Sequence, residues 1–142
     1  VIKKIYVDGG GWKSRICLVD GDKTIIKTRK GSPTNNELEY LAVLYALEYI
    51  DEHYPDEVVA IYSDSKLVVN QLGKEWKIMN QSLWELAWRC GELIDDRIRM
   101  KWCPRNYNLA GIVLEELYVS DKYHVKHPHS NHKRSQYSDH SN

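Results

Sequence analysis

With 142 residues, 42% of them hydrophobic, the chain can bury one sizeable core and is not of disordered composition. No apolar run reaches the roughly 18 residues that a membrane span needs, and three widely spaced cysteines, Cys17, Cys90 and Cys103, form no zinc pattern and point to reduced thiols in a cytoplasmic protein. The formal net charge of +0 lacks the basic excess common in nucleic-acid binders, although residues 61–110 carry eight Lys/Arg against six Asp/Glu.

The N-terminus reads as a strand over residues 3–8 rather than a signal peptide, with Ile5 and Val7 on one face and Tyr6 on the other. Gly9-Gly10-Gly11 then breaks it. Residues 14–19 and 24–29 are two further strands, and Asp20-Gly21-Asp22 between them is a strong hairpin turn. Gly31-Ser32-Pro33 ends this meander. Residues 36–53 form a helix that is apolar on nearly every side and therefore buried. Pro55 stops the connection to a buried strand over 58–63. A short helix starts at Asp64 or Ser65 and ends near Gly73. Residues 80–96 form another helix, with Leu83, Leu86, Ala87 and Leu93 on its inner face. A fifth strand, 99–103, is cut off by Pro104, and a last helix covers 107–119. The order β-β-β-α-β-α-α-β-α predicts an α/β domain over residues 1–120, a mixed five-stranded sheet flanked by helices. Residues 121–142 are rich in His, Ser, Lys and Asn and nearly free of aliphatic side chains, which predicts a flexible polar tail.

Three acidic residues sit where an ordinary core would not place them. Asp8 ends the first strand before three glycines, as a polar turn residue or as a metal ligand whose glycines let a phosphate or an ion approach the backbone. Glu39 adjoins the apolar stretch 40–47. Asn36 with Glu39 and Thr34 with Glu37 both have capping-box spacing, and only one register can operate; if Thr34 or Asn35 caps, Glu39 is free to face inward. Asp64 follows a strand and precedes a helix, the position of a good N-cap. Carboxylates at the ends of adjacent strands converge at one sheet edge, with Glu39 leaning in from the covering helix. Like charges that close repel unless they hold a hard cation such as Mg²⁺.

Five pieces in order then carry a resemblance: Tyr6-Val7-Asp8-Gly9-Gly10; Thr34-Asn35-Asn36-Glu37-Leu38-Glu39 with the apolar helix behind it; Tyr62-Ser63-Asp64-Ser65; Asn80-Gln81-Ser82-Leu83-Trp84; and Trp102-Cys103-Pro104-Arg105-Asn106-Tyr107-Asn108-Leu109-Ala110. From Lys3 to about Leu117 the chain resembles the ribonuclease H type 1 family. The resemblance implies an α/β ribonuclease H-like fold with strand order 3-2-1-4-5. It implies Asp8, Glu39 and Asp64 as catalytic ligands of two Mg²⁺ or Mn²⁺ ions. It implies that Asn35 and Asn36 read the RNA minor groove, that Thr34 and Asn80 grip a DNA-strand phosphate, and that Arg105 and Asn108 are substrate contacts. The plainer reading of Thr34, Asn35, Asn36 and Asn80 is helix capping.

The pattern departs from the family in three places. The Lys/Trp-rich insertion of many members is reduced to Gly73-Lys74-Glu75-Trp76-Lys77, in which Lys74, Trp76 and Lys77 are candidate contacts to the hybrid and packing is the plainer reading of Trp76. The Gly-His loop is replaced by residues 105–108, so the chain resembles a short form, and the five tail histidines are read as solvated. Gly111 stands at the position of the fourth acid. Glu115, one helical turn along the same stripe, is the expected catalytic and metal-ligating substitute, with the Asn108 amide oxygen as a weaker one. The function implied is an endonuclease that hydrolyses the RNA strand of RNA–DNA hybrids by two-metal-ion catalysis, leaving 5′-phosphate and 3′-hydroxyl ends. Its partner is the hybrid or double-stranded RNA, with no membrane, and the chain is expected to be a monomer. The alternative is a weakened module of the same fold that binds hybrids or RNA.

Overall fold

The computed structural model describes residues 1–74, 77–126 and 138–141. Trp76 and residues 127–137 of the expected tail lie outside them.

The first strand, β1 (Lys3–Gly10), runs two residues further than its glycines predict. Gly9 remains in the strand, and its missing side chain has a different use from close approach of a ligand. A Cβ there would meet the Leu38 carbonyl oxygen at 2.3 Å, so glycine lets the first helix sit directly on the strand. A 3-10 turn at Trp12–Ser14 leads to β2 (Arg15–Asp20), which pairs antiparallel with β1 and with β3 (Lys23–Thr28). Gly21, at φ +60°, turns the hairpin between them.

Helix α1 (Asn35–His53) begins at a capping box: the Glu37 N–H donates to the Thr34 hydroxyl at 3.1 Å, and the Thr34 N–H donates to Glu37 Oε1 at 2.7 Å. This is the register that leaves Glu39 unused by the cap. As its all-round apolar pattern predicts, α1 is buried along its length, from Leu38 to Ile50. Strand β4 (Val59–Ser63) lies parallel to β1, and β5 (Ile98–Trp102) lies parallel to β4. Between them come α2 (Lys66–Leu72) and α3 (Gln81–Leu93). The latter stops three residues before its expected end. There Asp95 Oδ1 accepts from the Arg97 N–H at 2.9 Å, a local turn that competes with the helix.

The last helix, α4 (Leu109–Lys126), is displaced toward the C-terminus from its expected span. Asn108 caps it, accepting from the Ala110 N–H at 3.1 Å, and the residues before the cap form a 3-10 turn, Arg105–Tyr107. The boundary expected at residue 120 therefore falls inside a helix. Asp121 is buried there, and a short strand β6 (Ser138–Ser141) pairs parallel with β3.

The five expected strands stand in the order 3-2-1-4-5, and β6 adds a sixth at the free edge of β3. Helices α1, α2 and α3 cover one face over a core that includes Ile5, Val7, Leu38, Leu47 and Ile61. Helix α4 covers β1 and β2 on the other face, over Cys17, Val19, Ile26, Leu114 and Leu117. This layering brings the ends of β1 and β4, the first turn of α1 and the start of α4 to one edge of the sheet.

Candidate metal centre at the sheet edge

Asp8, near the end of β1, is 2% exposed, and its Oδ1 has no hydrogen-bond partner. Glu39 faces it from α1, and its Oε1 accepts from the Gly9 N–H at 2.9 Å. Asp64 follows β4. Carboxylate oxygens of the three lie within 4.8 Å of one another, the one group of this kind among the described residues. Burial, reinforced by the Asp8 charge, pushes the Glu39 carboxyl up to about 9, although the Gly9 N–H opposes it. Burial and the Asp64 charge raise Asp8 to about 6 against the pull of Arg105. Three crowded carboxylates, with Asp8 and Glu39 pushed toward their protonated forms and one buried oxygen left bare, form a donor set suited to a hard divalent cation, which would cancel the repulsion.

Asp64 is held from several sides. The Asn108 amide donates to Asp64 Oδ2 at 3.2 Å and to the Val7 carbonyl at 2.9 Å. The Trp102 indole N–H donates to the Asp64 carbonyl at 3.1 Å, and the Lys66 ammonium lies 4.8 Å above the indole ring. Arg105 places a guanidinium nitrogen 3.9 Å from Asp64 Oδ2 while remaining largely exposed. Asn108 is 0% exposed; its nitrogen donates to Asp64 and Val7, and its oxygen caps the helix. In these contacts it orients Asp64 from behind.

Gly111 looks directly onto the cluster: a Cβ there would lie 3.3 Å from Asp64 Oδ2 and 3.5 Å from Asp8 Oδ2. Glu115 stays outside the three-acid group. It is exposed at the rim of a cavity of about 390 Å³ that also reaches Asp8, Gly10, Trp12, Arg15 and Arg105. The sequence pattern missed what holds the wall of this cavity. Arg15, almost fully buried, pairs with Asp121 at 2.8 Å; the Trp12 indole N–H donates to Asp121 at 3.3 Å, and Lys13 stands 3.6 Å away. Lys13 and Ser14 take positive φ of 60° and 48° in this connection, a strained turn that these contacts fix. The available signal was the absence of any Gly or Pro between Gly111 and Pro128, which lets α4 run on to Asp121.

The other expected contacts line the surface. Thr34, Asn35 and Asn36 are exposed at the start of α1, on the side of the acids. Asn80 is exposed and caps α3, accepting from the Ser82 N–H at 2.9 Å. Capping and substrate contact remain compatible at these positions, since each amide or hydroxyl keeps further hydrogen-bonding capacity.

A mixed sheet in this order with three acids converging at the end of its central strands defines a ribonuclease H-like domain. Residues 14–114, well over half of the chain, match the Reverse transcriptase-like family, and the chain belongs to it. It is 34% identical over 85 residues to a Ribonuclease H of Ehrlichia ruminantium, a match covering 52% of this chain and 56% of that protein. The RNase H1 of the halophilic archaeon Halobacterium salinarum superposes with a TM-score of 0.68 at 26% identity, over 85% of this chain and 99% of that one. LC11-RNase H1, solved in complex with an RNA/DNA hybrid, shares the fold with a TM-score of 0.63 at 24% identity, over 75% of this chain and 88% of that one.

Proposed function

We propose that the protein is an endonuclease that hydrolyses the RNA strand of RNA–DNA hybrids with Mg²⁺ or Mn²⁺. The observation that carries this reading is the convergence of Asp8, Glu39 and Asp64 within 4.8 Å at one sheet edge. Kinship to proteins named Ribonuclease H and the fold shared with a hybrid-bound protein support it.

When bound, a pair of such cations supplies water activation and neutralises charge at the leaving 3′-oxygen, giving 5′-phosphate and 3′-hydroxyl ends. The chain's own residues do the positioning. Asp8, Glu39 and Asp64 would hold the ions. The Gly9 N–H fixes the Glu39 carboxylate, and Asn108 fixes that of Asp64. Arg105 offers a charge at the open side of the site for a phosphate oxygen. Asn35 and Asn36 present amides that both donate to and accept from ribose 2′-hydroxyls, while Thr34 and Asn80 grip a phosphate of the DNA strand. In this reading the chain is a short form: residues 73–80 join α2 to α3 with Lys74 and Lys77 where larger relatives carry a basic insertion, and no Gly-His loop precedes α4. Glu115, at the cavity rim, is the fourth acid available to a second ion. Three unpaired buried cysteines favour a reducing, cytoplasmic setting for a monomer.

A second reading rests on Gly111. With no carboxylate beside Asp8 and Asp64 at that position, the site would hold its ions weakly, and the protein would bind hybrid without efficient turnover. One assay separates the two: end-labelled hybrid, duplex RNA and duplex DNA incubated with Mg²⁺ or Mn²⁺ and resolved on a gel. Cutting of the hybrid's RNA strand supports the nuclease. Retention of hybrid without products, at cation concentrations that saturate the site, supports the binding module.

A further inference from the structure

The face of the sheet that carries α4 is only half covered, because that helix lies over β1 and β2. Beside it β1, β4 and β5 present two cross-strand rows in register: Lys4, Ala60 and Arg99, then Tyr6, Tyr62 and Lys101. Side chains two apart on a strand share a face, so all six point the same way, as does Asp8 one step further along β1. The contacts bear this out. The Tyr6 and Tyr62 rings stack at 5.1 Å with 21° between their planes, and the Lys4 ammonium lies 6.0 Å from the Tyr62 ring.

Lys4, Arg99 and Lys101 are exposed, and among the described residues none of them is in an ion pair. The Arg99 guanidinium is anchored by donating to the Asp96 carbonyl. No acidic side chain stands within either row. The patch thus combines three exposed cations, none in an ion pair among the described residues, with a half-buried stacked aromatic pair whose Tyr6 side packs against the α4 core while the β4 and β5 side is open. Unpaired bases stack on aromatic rings of an open sheet while the strand's phosphates meet the surrounding cations; the convex, base-paired surface of a duplex exposes no base faces to do so.

We propose that this open face of β1, β4 and β5, which runs up to the acidic edge without including it, is a binding platform for single-stranded nucleic acid. It does not depend on the chain being a nuclease.

The test uses fluorescence anisotropy in EDTA, so that nothing is cut, with labelled 12-nucleotide oligouridylate and oligothymidylate as RNA and DNA probes and a 12-base-pair DNA duplex, which the proposed nuclease does not take, as a third. The full chain should bind one or both single strands at low salt, and the duplex more weakly. Lys4→Glu with Lys101→Glu should weaken single-strand binding at least tenfold and flatten the slope of log affinity against log salt by about 1.4, since each neutralised phosphate contributes about 0.7. Tyr62→Ala should weaken binding about tenfold with the slope unchanged, the signature of lost stacking rather than lost charge. Melting curves establish that the variants are folded, and Lys101→Glu alone serves if the double variant is not. The platform is overturned if the wild-type chain binds neither oligonucleotide, if these substitutions leave affinity unchanged, or if the duplex binds as tightly as the single strands. Cleavage of hybrid in Mg²⁺, read separately, tests the acidic edge and leaves the platform untouched.

Discussion

Asp8 and Glu39 carry the sharpest consequences of single residues. A carboxyl whose folded pKa lies above its unfolded value stabilises the fold below the unfolded pKa and loses that contribution as pH rises through the folded one. For Asp8 that window runs from its ordinary value of 3.8 up to about 6, and for Glu39 from 4.5 to about 9. The metal-free protein should therefore lose stability between pH 4 and 9, and Mg²⁺ should restore it. Asp8→Asn removes one charge at constant volume. It should abolish cleavage while raising the metal-free melting temperature at pH 8 by about 5 °C. Calorimetry in EDTA would count against a repulsive cluster if the variant melted lower than the wild type. At Gly111, substitution by Asp would add a fourth carboxylate against Asp8 and Asp64. It should lower metal-free stability, tighten Mn²⁺ binding by titration calorimetry and raise turnover, whereas Glu115→Gln should reduce turnover. An inert Glu115→Gln together with an activated Gly111→Asp would leave a three-acid site. Both acids of the strand ends were legible in the sequence, because strand ends are local patterns; for Glu39 the sequence offered two capping registers, and only the Thr34–Glu37 box of the structure leaves it free. The role of Asn108 was not: its partner Val7 is 101 residues away, and no local spacing encodes such a bond.

Among the elements, α4 differs most from expectation. Polar composition marked its last turns as tail, yet Asp121 reaches back across the sheet to Arg15 and to Trp12, 109 residues earlier. A single buried ion pair can dock a helix end that has too few apolar residues to dock by burial alone. Asp121→Leu strands the buried Arg15 cation and should cost about 3 kcal/mol in urea unfolding. Combining it with Arg15→Met removes both charges and should recover a large part of that loss. If the double variant is as unstable as the single one, the pair is not what holds the helix to the loop. The same contacts shape the wall of the cavity beside Asp8, so Asp121→Leu should also raise KM for hybrid more than it lowers kcat. Strands, hairpin and α1 were all readable from periodicity and turn residues, and they agree with the structure to within two residues. The ends of α3 and α4 were not, because a side-chain turn at Asp95 and a cap at Asn108 decide them.

At the scale of the whole molecule, the end of the sheet opposite the acids is closed by a polar network. Asp20 accepts from the Tyr49 hydroxyl at 2.8 Å and from the Tyr54 hydroxyl at 2.5 Å, and pairs with Lys3 at 2.7 Å. Burial alone would raise its pKa, but Lys3 and the two hydroxyls together outweigh it and hold the carboxyl below its ordinary value. A depressed folded pKa contributes stability that is present above the unfolded value and is lost as pH falls through the folded one. Asp20→Asn should therefore cost on the order of 2 kcal/mol at pH 7, and progressively less as the pH is taken below 3.8 and the wild-type carboxyl takes up its proton. A cost that does not fall with pH would show that packing, not charge, anchors the hairpin to α1.

The two ends of the sheet thus have opposite character: a paired carboxylate that ties the fold together, and three crowded ones suited to a divalent cation. The most direct test of that second end is cleavage of a hybrid with a 5′-labelled RNA strand, comparing the wild type with Glu39→Gln at equal protein and equal, millimolar Mg²⁺. The wild type should cut the RNA strand internally to 3′-hydroxyl products and lose all activity in EDTA, while Glu39→Gln should remain folded and cut nothing. Equal cleavage by the two proteins, or wild-type cleavage that persists in EDTA, would contradict a metal centre built on Asp8, Glu39 and Asp64.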